Sequence, residues 1–154
     1  MLRSTAGTQT IPSGTPAKAP AVNLDYLVIL YLRIALAAAF LSGIASRFGL
    51  YGKNTGYGNF TGFLRYTAEV NSFMPLSTIP FLAWAATAAE LFLGITLLIG
   101  VWPRQTALAS AALLAVFGIA MAISFGIKSP LDYSVFSASA AAALLSFHST
   151  RRVT

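Results

Sequence analysis

The sequence predicts an all-α integral membrane protein, a four-transmembrane-helix bundle with a short amphipathic helix between spans 1 and 2. Three observations lead there. Hydrophobic residues make up 56% of the chain and charged residues 9%, against about 25% charged in an average soluble domain, so too little charge is present to clothe a water-facing surface. Four apolar runs approach or exceed the length that crosses a hydrocarbon core of about 30 Å. The basic residues fall singly between those runs, where they would meet lipid headgroups.

A chain of 154 residues fits one domain. Residues 1–22 are rich in Ser, Thr, Gly, Pro and Ala without helical period, and read as a flexible tail rather than a signal peptide. A transmembrane domain is expected over residues 23–148 and a basic tail over 149–154.

The first span is expected at 24–46, interrupted by Arg33, and the second at 78–102, interrupted by Glu90. The third, 106–127, carries no charge, and the fourth, 131–147, has Asp132 at its mouth. Trp102-Pro103-Arg104 and residues 126–130 are tight links that make successive spans antiparallel neighbours. The first connection is longer. Residues 49–59 are Gly-rich irregular loop, whereas Phe60, Phe63, Leu64, Thr67, Val70 and Met74 recur on one helical face. Arg65 and Glu69 lie opposite at i,i+4 spacing, and Pro75 ends the run. This is an amphipathic helix lying on the membrane surface or capping the bundle.

Small residues mark the packing faces: Ala83, Thr87, Glu90 and Gly94 on the second span, Ala111, Ala115, Gly118 and Ala122 on the third, and Ser134, Ser137, Ala138, Ala141 and Ala142 on the fourth. Tyr26, Tyr31, Tyr51, Trp84, Trp102 and Tyr133 mostly fall near span ends, as interfacial aromatics do.

A charge inside a span is costly and is a functional candidate by default. Arg33 lies roughly 14 Å of helix rise past Leu24, and Glu90 roughly 18 Å before Trp102 on the same side. Similar depth on antiparallel helices makes an Arg33–Glu90 intramembrane ion pair available. One reading is a structural salt bridge that fixes helix register; the other is a polar anchor in a ligand-binding pocket, such as a site for a quinone headgroup. Asp132 and Tyr133 form a second polar candidate at the mouth of span 4, where helix capping also accounts for the carboxylate and a proton-relay or ligand role is the alternative.

The net charge of +6 comes without a Lys/Arg cluster longer than Arg151-Arg152, so no nucleic-acid partner is expected. With four spans, both termini share a side. That side holds Arg3, Lys18, Arg104, Arg151 and Arg152, and the other Arg47, Lys53, Arg65 and Lys128. The balance leans to cytoplasmic termini. There is no cysteine, which removes disulfides and thiolate ligands. His148 is the sole histidine, so no haem can be held between two histidines of one copy. No catalytic residues, metal ligands or cofactor set of its own can be assembled, and membrane lipid is the one certain partner.

The stretch LRIALAAAFLSGIASR (32–47) resembles the first span of the DoxX family, with an Arg followed by a Gly-containing helix and a basic residue. RYTAEVNSFMP (65–75) is similar to the family's amphipathic segment, AAELFLGITLLIGVWPRQTAL (88–108) to its membrane-Glu span and Gly-x-x-x-Arg exit, and KSPLDYSVFSASAAAALL (128–145) to the last span of a subgroup. The resemblance covers roughly residues 26–147 and rests on order and spacing together. It implies a bacterial inner-membrane bundle and a family linked by name to a thiosulfate:quinone oxidoreductase subunit. Arg33 and Glu90 match the family's intramembrane charged positions, and Asp132 the fourth-span entry of that subgroup.

The reading that follows is an accessory subunit of a bacterial membrane redox complex that contacts quinone and lacks independent catalysis. A structural or assembly subunit of another membrane complex is the alternative. A small transporter or channel would need an oligomer, since no internal repeat or broken span is visible.

Overall fold

The computed structural model describes residues 24–52 and 54–150, with side chains to His148. The tails expected over 1–22 and 149–154 lie outside the described residues, apart from the backbone of 149 and 150. The elements are α1 (Leu24–Arg47), α2 (Phe60–Val70), a 3-10 turn (Leu76–Thr78), α3 (Ile79–Ile99), α4 (Pro103–Phe125), α5 (Lys128–Asp132) and α6 (Val135–Thr150). Among the described residues all regular structure is helical. α1, α4 and α3 with its preceding turn are long and apolar enough to cross a membrane, and Val135–His148 is a shorter apolar helix. The chain is a multi-pass membrane protein.

The ends of the spans depart from expectation for local reasons. α3 stops at Ile99 because Gly100 turns into the left-handed region at φ 82°, its N–H bonding the Thr96 carbonyl. Proline at the first position of α4 starts the next span earlier than the expected residue 106. The expected fourth span from 131 is broken. Lys128–Asp132 is a separate turn of helix, Ser134 takes a φ of 54°, and the apolar helix begins only at Val135. α2 ends at Val70 rather than reaching Met74: the backbone leaves the helical region at Asn71 (φ −112°, ψ 42°), whose side-chain amide donates to the Thr67 carbonyl. Its face is otherwise as expected, with Phe63, Thr67 and Val70 buried and Arg65 and Glu69 exposed. Arg65 and Glu69 do not pair; the ion pairs among the described residues are Arg47–Glu90 and Lys128–Asp132.

The bundle is two antiparallel pairs set side by side. α1 packs most extensively on α3, and α4 on α6. Small residues permit both contacts. A Cβ on Gly94 would lie 3.1 Å from the Leu41 side chain, and one on Gly118 would lie 2.7 Å from the Phe136 ring, so these glycines are where neighbours enter. The Ser139 hydroxyl donates to the Ala111 carbonyl at 2.8 Å, tying α6 to α4. Leu36, Ala37, Phe40, Leu93, Leu97, Ala107, Ala111, Ala142 and Leu145 form the shared core. Large apolar side chains such as Phe81, Phe92, Val116, Ile123 and Phe147 point outward, as they do when lipid is the solvent.

α1 is staggered against α3. Arg33 lies level with the carbonyls of Leu97 and Leu98, Phe40 and Leu41 with Gly94, and Gly43 with Glu90. At this register Arg47, the last residue of α1, reaches only Thr87, eight residues short of the start of α3 at Ile79 and thus roughly 12 Å below it. α2 and the loop before it fill the notch this leaves.

Arg33 closes the other end. Its Nε and Nη2 donate to the Leu97 carbonyl at 2.9 and 2.8 Å, and Nη2 also to Leu98 at 3.2 Å. A guanidinium at the carboxyl end of a helix satisfies carbonyls that have no intrahelical donor and meets the negative end of the dipole. Gly100 is required twice over, for its positive φ and because a Cβ there would collide with the Arg33 guanidinium. Gly100→Ala should therefore destabilise the protein by about 1–2 kcal/mol from the backbone alone and by more through displacing Arg33. Denaturation of the purified variant in detergent would measure this, and an unchanged midpoint would refute it.

Candidate functional site

The floor of the notch is charged. Arg47 Nη2 donates to Glu90 Oε1 at 2.6 Å, and Arg47 Nη1 to the Thr87 hydroxyl at 3.1 Å. Thr87 can accept because its own proton goes to the Ala83 carbonyl at 2.7 Å. Arg47 and Glu90 are each only 4% exposed, so neither charge is screened by solvent and each depends on the other. α3 supplies the acceptors at i and i+3 on its packed stripe. α1 supplies the donor, with Gly43 one turn earlier leaving room for Glu90. A Cβ at position 43 would lie 3.2 Å from Glu90 Oε2.

Aromatic rings roof this floor. The Arg47 guanidinium carbon sits 3.8 Å from the centre of the Phe63 ring, a cation–π contact from α2. Phe60 meets Phe63 at 5.9 Å and Trp84 of α3 at 4.4 Å between centroids, and Tyr57 meets Phe63 at 5.0 Å and Tyr66 at 5.2 Å. The loop expected to be irregular is pinned instead. The Tyr57 N–H donates to the Ser46 hydroxyl at 3.0 Å, and Gly56 at φ 63° lets the chain pass Ser46 so closely that any Cβ there would collide with its hydroxyl. Burial pushes the Tyr57 phenol up to about 12, with Tyr66 adding to the rise and Arg47 opposing it. Burial likewise raises Tyr66. Both phenols stay protonated at neutral pH, and the roof carries no charge of its own.

One donor under this roof is left over. Arg47 Nε is buried without a hydrogen-bond partner, the only such side-chain atom among the described residues. Buried donors of this kind cost about 1–3 kcal/mol each and call for an explanation.

The expected pairing of Arg33 with Glu90 is thus corrected. Glu90 pairs with Arg47, and Arg33 caps α3 about two helical turns from it. Depth counted from the ends of the apolar runs missed the stagger: ten residues, roughly 15 Å of rise, separate Arg33 from Gly43, which faces Glu90. Arg47 closes an apolar run, the position of a headgroup-facing charge, yet it is buried. The available signal was its i,i+4 relation to Gly43 and the shared stripe of Thr87 and Glu90.

Asp132 and Tyr133 are both exposed and neither bonds to the Arg47–Glu90 pair, although Tyr133 stands close enough to the roof to add to the rise of the Tyr66 phenol. Asp132 closes α5 and pairs with the exposed Lys128 one turn earlier, rather than capping the fourth span. His148 is exposed near the end of α6, its Nδ1 3.2 Å from the Leu144 carbonyl. An open groove of about 340 Å³ runs between the end of α2, α3 and α4, lined by Met74, Leu82, Val116 and Ile123 with Asn71 at its edge. It is hydrocarbon throughout apart from Asn71, whose amide is committed to Thr67. Among the described residues no three His, Cys, Asp or Glu side chains come together as a metal site would require.

The buried pair should behave as a unit. Glu90→Gln, which leaves Arg47 charged and buried, should cost about 3–5 kcal/mol, whereas the double change Arg47→Met with Glu90→Leu should recover most of the loss. Denaturation in detergent of the single and double variants measures the coupling; additive losses would show that the two side chains act independently.

A family model, DoxX, matches residues 28–125, which run from the first span through the end of α4 and include Arg33, Arg47, Thr87 and Glu90. No curated protein and no solved structure matches the chain.

Proposed function

We propose, from the premise that this chain belongs to the DoxX family, that it is an accessory subunit of a bacterial membrane redox complex, without catalysis of its own and in contact with the quinone pool. The observation that carries the reading is the Arg47–Glu90 pair roofed by Phe63, Phe60 and Trp84. It is a polar point buried among apolar helices and covered by the rings of α2.

A quinone fits what these residues offer. Its carbonyl oxygen is an acceptor for a buried N–H donor, and Arg47 Nε is a buried donor without one. Bound there, a quinone would supply reversible two-electron chemistry. The protein's own groups would hold and orient it: Arg47 by hydrogen bond, Glu90 by keeping Arg47 charged and in place, and the aromatic side chains by stacking and by excluding water. In this reading the oxidant or reductant for the quinone belongs to a partner in the complex. The alternative, a structural or assembly subunit, draws on the same pair as a lock on helix register.

The partner is testable directly. Mild-detergent capture of the tagged protein from its native membrane should bring down a stoichiometric redox enzyme, identified by mass spectrometry. A stoichiometric partner without redox function would transfer the reading to assembly, and a lone protein would overturn both.

The proposed membrane is the bacterial inner membrane with cytoplasmic termini. Burial of Arg47 against Glu90 takes it out of the flanking charge. The terminal side then holds Arg3, Lys18, Arg104, Arg151 and Arg152 against Lys53, Arg65 and Lys128 on the other. The cysteine-free sequence suits single-cysteine labelling. In intact spheroplasts an impermeant thiol reagent should modify Lys53→Cys and spare Arg104→Cys; the reverse pattern would invert the topology.

A further inference from the structure

We infer that Phe63 is a gate: the flat headgroup of a neutral, lipid-soluble oxygen acceptor takes its place over the Arg47 guanidinium and accepts from Nε. The inference rests on the reading that the Arg47–Glu90 site receives a ligand, and names how the protein admits one and which atoms select it.

Four observations converge on this step. Arg47 is 4% exposed and its Nε is sealed and unpartnered, so the closed form leaves one strong donor unmet and offers no path to it. The remaining guanidinium edge is committed to Glu90 and Thr87, which fixes the plane of the group, and Phe63 covers one of its faces. The charges of Arg47 and Glu90 balance. A neutral acceptor therefore adds a hydrogen bond without adding a third buried charge, whereas an anion would leave the site with net charge in a low-dielectric setting. Finally, the roof is made of rings in mutual contact, and a flat headgroup that displaces Phe63 keeps a π face on the guanidinium while gaining the bond that Phe63 cannot make.

The movement is local. Phe63 lies in the first turn of α2, and α2 is held to the bundle at its far end, where the Ser124 hydroxyl donates to the Val70 carbonyl at 2.6 Å and the Ser72 hydroxyl to Ser124 at 3.0 Å. At the near end the preceding loop bonds to α1 through Ser46. Phe63 is itself buried and packed against Tyr57 and Phe60, so the opening is a tilt of the first turn of α2 about the Val70 end that carries these rings off the guanidinium and leaves the α1–α3 pair together. Glu90 and Thr87 stay bound to Arg47 throughout.

The test uses the full-length protein in lipid nanodiscs with Trp102→Phe, so that Trp84, which lines the roof, is the sole fluorescent indole. The probe is a benzoquinone bearing a saturated alkyl tail, and its control is benzene bearing the same tail. The quinone should quench Trp84 saturably and the hydrocarbon should not. Arg47→Lys keeps the charge opposite Glu90 but has no Nε, and should weaken binding about tenfold or more. Phe63→Ala should accelerate association, the direction that a merely structural ring would not give. Because the oxygen acceptor can be a free carrier or the ester carbonyl of a bilayer lipid, ether-lipid discs separate the two. Tighter probe binding there identifies the ester as a competing occupant, and equal binding identifies the free carrier. Equal saturable quenching by both probes, or full affinity in Arg47→Lys, overturns the inference. So does unchanged association in Phe63→Ala. A redox partner in the capture experiment together with any of these results would leave the subunit reading intact and remove the gate.

Discussion

Two opposite charges inside hydrocarbon have few arrangements open to them. Arg47 and Glu90 are each buried to the same degree, and neither can reach solvent without leaving the helix contact it stands in. The attraction between them in that medium is large, and so is the penalty for exposing either one to lipid unpaired. Their bond therefore fixes the axial position of α1 on α3 more sharply than the surrounding Leu and Ala contacts could, since apolar side chains in a bilayer gain little by choosing one register over its neighbour. Gly43 and Thr87 refine that choice, the first by admitting the carboxylate and the second by taking the other Nη.

The rest of the architecture follows from that register. With Arg47 level with Thr87, α1 ends below the top of α3 and a notch remains on one side, while on the other α1 runs past the end of α3 and brings Arg33 to its last carbonyls. The notch would expose a guanidinium to lipid. α2 covers it, and the reason it is amphipathic becomes plain: Phe63 and Val70 turn to the bundle, and Arg65 and Glu69 lie on the exposed face. The two arginines of α1 thus do different work, although both interrupt or end the same apolar run. Arg33 meets dipoles, and Arg47 meets a charge.

Most of this bundle was legible in the sequence because hydrophobic length and helical period are local properties. The runs around Arg33 and Glu90, the antiparallel link at Trp102-Pro103 and the face of α2 from Phe60 to Val70 can each be read without knowing what packs against them. The pairing was not legible, since axial offset between helices is set by contacts that no single helix contains. Equal depth pointed to Arg33, and only the stagger hands Glu90 to Arg47. The fourth span shows a second limit. Asp132 before an apolar run reads as a cap, yet Ser134 breaks the helix after it, and the carboxylate closes a turn with Lys128 instead.

What separates a register lock from a binding site at the same residues is the completeness of their bonding. A lock has no use for a spare donor; a carboxylate turned to meet both Nε and Nη2 would satisfy the guanidinium along one edge and make the stronger bidentate contact. Here Glu90 accepts from Nη2 at Oε1 while Oε2 lies against the space at Gly43, and Nε is left buried without an acceptor. The side chain that hides this gap is an aromatic ring, which attracts the cation but accepts no ordinary hydrogen bond from Nε. A buried donor that asks for one oxygen, under a ring that another ring could replace, is the feature on which the proposed exchangeable ligand rests, and a purely mechanical pair gives no account of it.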